Sequence, residues 1–350
     1  MYDKEIVRLH VSDGVTYVSG LGFISPNNTH NIVRQLHRYS RIICFSLLLF
    51  FFCKQFFITP ATYFAYFLGF DININNFTGM IVSSSISKQV ILFIANTAAF
   101  LVCTGLIWVM TLRNINFSIV FRKPNQGALS ISLPIIISIG LLGQLLATYF
   151  SSGTRFFGLL ITPLSDYALG NHAGDNAIKI AIAVFIVILE EILFRGAILF
   201  SLRRFGDGFA IFASSILFSI FQNGILEIIS SFFLGLVLGY FTIRSSSVLT
   251  AIMGHSFLVV TLFAFNWIRQ IIEPSLADAI VHLTYIILLC CAGISFIKFV
   301  RRDKNAFVLK KLDANISFRR RLLSFFSTLS FILFSSIVIL SIVDRIQIIG

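Results

Sequence analysis

Charge is scarce in this chain. Only 12% of its 350 residues are Asp, Glu, Lys or Arg, about half of the roughly 25% of a soluble globular domain. That shortage excludes an ordinary soluble fold. A CxxC pair is also missing. The five cysteines (Cys44, Cys53, Cys103, Cys290 and Cys291) all fall within apolar runs, where free cysteine serves as a small packing residue. They imply neither a disulfide framework nor a cysteine metal cage. No internal repeat is visible, which argues against a transporter built from two halves with matching broken helices. No low-complexity linker or soluble insert interrupts the chain. Residues 1–40 are mixed and polar, without a hydrophobic region followed by a cleavage motif. They are expected to form a cytoplasmic tail, with the first apolar run as an uncleaved anchor.

What the chain has in quantity is apolar sequence. It is 57% hydrophobic, with a mean hydropathy of +0.91, and the apolar residues gather in runs of about the 20 residues needed to cross a bilayer. Nine runs are legible: 41–58, 89–110, 129–150, 177–200, 208–223, 225–243, 247–266, 279–299 and 322–343. The fold class expected is therefore all-α, a polytopic membrane helical bundle of about nine transmembrane helices. The fifth run is short and ends on Gln222-Asn223. Segment 59–70, apolar but brief, reads as interfacial or re-entrant.

The net charge of +12 does not point to nucleic acid, because the basic residues lie between spans and form no continuous face. With nine spans and a cytoplasmic N-terminus, 20 of the 27 Lys and Arg residues fall on the inside, as the positive-inside rule demands. Residues 298–321 alone carry nine of them, from Lys298 to Arg321. Membrane lipids, anionic ones included, are the partners this pattern implies. The chain divides into a tail (1–40), N-terminal transmembrane helices (41–176), a core (177–266) and C-terminal transmembrane helices (267–350).

The core holds the chemistry. Glu190, Glu191 and Arg195 sit inside an apolar run, and ionisable residues at bilayer depth are costly and mark a functional site by default. Glu191 and Arg195 are spaced i, i+4 and form an ion pair along one helix face. Glu190 points about 100° away, which leaves one carboxylate free for general-base work. At ~1.5 Å per residue, Glu190 lies roughly 15 Å, His255 about 12 Å and Gln222 roughly 20 Å from the inner ends of their helices. Three polar side chains from three helices thus fall in one slab, the geometry of a small cavity opening to the cytosol. A purely structural charge network, a satisfied core histidine and interhelical hydrogen bonding by Gln222 are the rival readings.

These residues resemble the CAAX-protease and bacteriocin-processing (CPBP, or Abi) family of intramembrane proteases. Glu190, Glu191 and Arg195 match that family's Glu-Glu-x-x-x-Arg motif, followed by the typical Gly196. Phe218 matches the start of its Phe-x-x-x-His motif, but Gln222 occupies the histidine position. His255 matches the start of its His-x-x-x-Asn/Asp motif, but Val259 occupies the last position. The resemblance covers residues 177–266. It implies Glu190 as general base, His255 as stabiliser of developing negative charge, and Glu191 and Arg195 as support for the site. Gln222 orients a water but takes no proton, and valine offers no donor. A divalent metal such as zinc is weakly implied, with Glu190 and His255 as its recognisable ligands where catalytic zinc ordinarily has three. Neither His172 nor His282 stands where it would supply the missing histidine.

Three functions remain open on the sequence. One is an intramembrane peptidase acting on peptides or membrane proteins. Another is a catalytically impaired relative serving as a bacteriocin-immunity, resistance or accessory binding factor. The third is a transporter or channel using the buried charges as a relay. The Ile, Phe and Asn bias with basic loops suits a bacterial inner membrane.

Overall fold

Long apolar segments deprived of water satisfy their backbone polar groups internally, and the helix does so within a single segment. The computed structural model describes residues 16–18, 22–24, 29–70, 72–74, 81–83, 85–112, 120–124, 126–156, 159–160, 169, 172–302, 305–310, 316–343 and 347–348. Helices α1 (Thr29–Phe67), α2 (Ser85–Thr111) and α3 (Gln126–Phe156) come first. Then α4 (Ala173–Glu191) runs directly into a π-helical segment, Ile192–Leu199, and a short α turn, Phe200–Leu202. Next come α5 (Asp207–Phe221), α6 (Ile225–Ser245), α7 (Val248–Ile271) and α8 (Pro274–Arg302). The last two are α9 (Phe318–Phe326) and α10 (Leu329–Val343). Among the described residues, three antiparallel pairs of two- or three-residue strands lie before, between or after the helices, and Ile72 of one of them packs with α1 and α2 in a small apolar cluster.

The all-helical membrane bundle expected from the sequence is present. Of the nine expected runs, six are helices long and apolar enough to cross a membrane, and seven if α9 and α10, bent by 70°, form one span. The other two are the run carrying the Glu190–Glu191 pair and α5, which has only 15 residues. The count of nine is therefore not reached by length and composition alone. The run at 322–343 is not one straight rod, because it breaks at Ser327-Thr328 between α9 and α10. Segment 59–70 is not a separate re-entrant piece either. It is the last part of α1, which continues through Pro60. Its stop is Gly69, whose φ of 86° lets Phe70 N bond Ala65 O at 3.2 Å. That is a left-handed helix end that glycine adopts without a Cβ clash. Most of the expected tail before Thr29 lies outside the described residues, as do Lys4, Arg8, Arg113, Lys304, Lys311 and Arg345.

Connections that the charge pattern assigns to one side do meet at one end of the bundle. Asp207 N donates to Lys310 O at 3.0 Å. The Arg321 guanidinium donates to Phe205 O, the Tyr240 hydroxyl to Ala306 O, and Arg204 to the Tyr39 hydroxyl.

Two apolar clusters organise the interior. One joins α1, α2, the π segment, α5, α9 and α10 around Phe100, Phe194, Phe218 and Phe334. The other joins α3, α6, α7 and α8 around Ile136, Leu238 and Leu258. The Glu190–Arg195 stretch packs on the first side and α7, with His255, belongs to the second. Close approach of α7 to α3 depends on Gly254, where an added Cβ would stand 2.7 Å from Ile136 Cδ1. That contact seats the neighbouring His255 against the seam.

Candidate functional site

The ends of two helices and the early turns of a third set the site. Glu190 and Glu191 are the last residues of α4, and the chain then takes the wider π turn over Ile192–Leu199. Such π segments are rare and recur at functional sites. Gln222 caps the C-terminus of α5, bonding Phe218 O through its N–H at 3.3 Å. Asn223 follows with φ of 55°, a conformation asparagine tolerates better than most residues. Its Nδ2 donates to Ser341 Oγ at 3.0 Å, which pins the end of α5 to α10. His255 lies two turns into α7.

Glu191 is fully buried and Arg195 is 1% exposed. Arg195 Nη1 donates to Glu191 Oε1 at 3.0 Å, the expected i, i+4 pair. The same oxygen lies 2.8 Å from His255 Nδ1. A carboxylate oxygen already taking a guanidinium proton only accepts, so Nδ1 carries the ring proton. Nε2 is then an acceptor in the neutral ring and a donor in the imidazolium. Phe218 contacts both the guanidinium and the imidazole. Arg195 Cζ is 4.2 Å from its ring centroid, and the His255 ring meets it edge-on at 6.0 Å and 88°. Glu191 Oε2 and Arg195 Nη2 have no hydrogen-bond partner among the described residues.

Glu190 is only partly buried. The Gln222 side chain, His255, Glu191 and Arg195 all lie within electrostatic reach of its carboxylate. Glu190, Gln222 and His255, the three residues singled out on separate helices, therefore converge. Among the described residues, none of the three lines the cavities of 480, 240 and 360 Å³ found elsewhere in the bundle. Val259 points elsewhere. It is 5% exposed and packs with Val187 and Phe263, joining α7 to α4 through apolar contact one turn from the carboxylates. The π segment and the shared Glu191 oxygen were not foreseen. Eight residues without proline or an internal repeat give no sequence signal for a wider turn, and the histidine's partner depends on how α7 meets α4.

The donors do not fit a catalytic metal. Among the described residues no three His, Cys, Asp or Glu side chains are grouped to hold one. His255 Nδ1 is committed to Glu191, and the third position near Glu190 is a neutral amide. His172 is exposed before α4, and His282 is exposed on α8 with Nδ1 donating to Asp278 O at 2.6 Å. Neither completes a set.

Fold and site together define a multi-pass helical membrane protein with a carboxylate–guanidinium–imidazole cluster inside. Residues 175–261 match the family model described as type II CAAX prenyl endopeptidase Rce1-like, about a quarter of the chain. The match spans all three motif-bearing helices and agrees with the CAAX-protease resemblance carried by Glu190, Glu191 and Arg195. No curated protein and no solved structure matches the chain.

Proposed function

We propose that this CAAX-protease-like membrane protein is an intramembrane peptidase acting on peptides or membrane proteins, with residues 177–266 as its working core. The observation that carries the reading is the convergence of Glu190, Gln222 and His255 from three helices. Glu190 is the general base. It takes one proton from a water held by the Gln222 amide, and the water oxygen bonds the scissile carbonyl carbon. The negative charge that develops on the carbonyl oxygen is met by His255 Nε2–H in the imidazolium form, with Glu191 as counter-ion. The proton on Glu190 then passes to the leaving amine as the C–N bond breaks. Glu191 and Arg195 are positioning residues that fix the ring's tautomer and orientation. A bacterial inner membrane, with residues 1–40 and the basic connections in the cytoplasm, is the setting we infer.

One observation favours a second reading, a binding-only relative acting as an immunity, resistance or accessory factor. At position 259 a polar side chain is replaced by valine, already used for packing against Val187 and Phe263. The two readings separate in one experiment. The full chain is reconstituted in lipid vesicles and tested for cleavage of membrane-embedded peptides beside Glu190→Gln and a Gln222→His/Val259→Asn variant. Turnover that Glu190→Gln abolishes supports the peptidase. Turnover found only after the double replacement supports the binding-only relative.

A further inference from the structure

A hydroxyl with no role in the proposed reaction stands next to His255 on α7. Ser256 Oγ is buried and meets no hydrogen-bond partner among the described residues. Hydroxyls within helices commonly bond a carbonyl of their own helix one turn back. Ser215 Oγ does so with Ile211 O at 2.7 Å, Thr242 Oγ1 with Leu238 O at 2.8 Å and Thr261 Oγ1 with Phe257 O at 2.8 Å. The Ser256 hydroxyl makes no such bond. Packing fixes what it faces. Ser256, Val259 and Phe263 are spaced i, i+3 and i+7, which places them on one stripe of α7. Val259 and Phe263 pack with Val187 of α4, and His255 Nδ1 meets Glu191 Oε1 at 2.8 Å. Advancing along α4 from Val187 to Glu191 therefore means going back along α7 from Val259 to His255, so the two helices are antiparallel. Ser256 lies between those two contacts, opposite the turn of α4 that ends at Glu191.

That turn holds two more buried atoms in the same condition. Glu191 Oε2 and Arg195 Nη2 also meet no partner among the described residues, although their side chains are sealed from solvent. They are the second arms of the two groups whose first arms pair at 3.0 Å, so they lie close together. Buried polar groups are paired with protein or with ordered water, and a charged group left unpaired costs more than a neutral one. The three atoms need a partner that both donates and accepts. Nη2 only donates, Oε2 only accepts, and a hydroxyl does either. An anion would be repelled by the carboxylate and a cation by the guanidinium. Water satisfies all three, and a buried water typically makes about three hydrogen bonds.

We propose that one buried water molecule bridges Glu191 Oε2, Arg195 Nη2 and Ser256 Oγ. It accepts from the guanidinium, donates to the carboxylate and takes its third bond from the hydroxyl. Ser256 thereby ties α7 to the ion pair a second time, one residue beyond the His255–Glu191 bond. The site stands on the ion cluster and is independent of the peptidase reading, so it holds or fails without reference to turnover. Two measurements on the full chain test it. The first is a crystal structure from a lipidic mesophase, in a map that shows ordered water. The expected result is a peak within about 2.7–3.2 Å of all three atoms. A map without that peak, a peak that omits Ser256, or the same atoms paired directly with side chains overturns the proposal. The second is the unfolding of Ser256→Ala in mild detergent. In the otherwise unaltered chain, loss of the bond is expected to shift the unfolding equilibrium about tenfold. Against Glu191→Gln/Arg195→Met, where the water has lost its charged partners, the same replacement shifts it by less than about twofold. An equal shift in both backgrounds overturns the proposal, because the hydroxyl then acts through something other than the ion pair.

Discussion

Glu191 and Glu190 are joined by one peptide bond and live in different surroundings. Glu191 is sealed in, with Arg195 and His255 sharing one of its oxygens. Glu190 is partly exposed and is met by a neutral amide. Burying a carboxylate and a guanidinium costs several kcal/mol per ion, and their attraction offsets this only with good geometry. The cluster around Glu191 meets part of that condition through the ion pair, the imidazole and the Phe218 ring, while Glu191 Oε2 and Arg195 Nη2 find no partner among the described residues. One Glu191 oxygen is thereby committed to both a guanidinium and an imidazole. Its neighbour Glu190 stands outside that ion pair and is the carboxylate to which we assign the proton-accepting role. On the proposed reading, the contrast makes this charged motif two devices: a scaffold built on an internal ion pair and a reactive group placed beside it.

Breaking the contrast on the reactive side has the largest expected effect. Glu190→Gln removes the base, so turnover in vesicles falls by about 10²–10⁴-fold, while the thermal unfolding midpoint in detergent stays close to that of the unaltered chain. On the scaffold side, Glu191→Gln leaves Arg195 buried without its counter-charge. It is expected to destabilise the protein by ~3–5 kcal/mol, read as a lowered unfolding midpoint and reduced yield. Pairing it with Arg195→Met should recover much of that loss, since an apolar replacement of both ions is frequently neutral.

Smaller changes sharpen the comparison. Val259→Asn replaces packing against Val187 and Phe263 with an amide, which costs about 1–3 kcal/mol unless the amide finds a partner. On the peptidase reading, an amide one turn from the carboxylates that turns toward the site adds a second donor for the developing oxyanion, so turnover should rise as stability falls. A variant that loses stability without gaining turnover would show that position 259 faces only the apolar contact. Phe218→Leu removes the ring under Arg195, and the lost cation–π contact is worth ~0.5–2 kcal/mol. Its effect should appear in unfolding and leave the identity of the base unchanged.

Much of this was legible without coordinates. The bundle follows from apolar runs of membrane length, because backbone polar groups in hydrocarbon leave the helix little competition. The Glu191–Arg195 pair follows from i, i+4 spacing, a local property of helices. The same locality explains what was misread at the ends. The stop of α1 lies at Gly69 rather than near Pro60, because proline in a membrane helix is tolerated while a left-handed glycine ends the helix outright. The break at Ser327-Thr328 divides a run that composition alone presents as continuous.

The sequence by itself determined that this is a helical membrane protein, and that two carboxylates and an arginine sit inside one of its helices. Only the tertiary structure decided which carboxylate the histidine joins and that valine at 259 serves packing. Spacing along a chain governs contacts within one helix. Contacts between helices depend on how each rod is turned and how closely small residues such as Gly254 let it approach its neighbours.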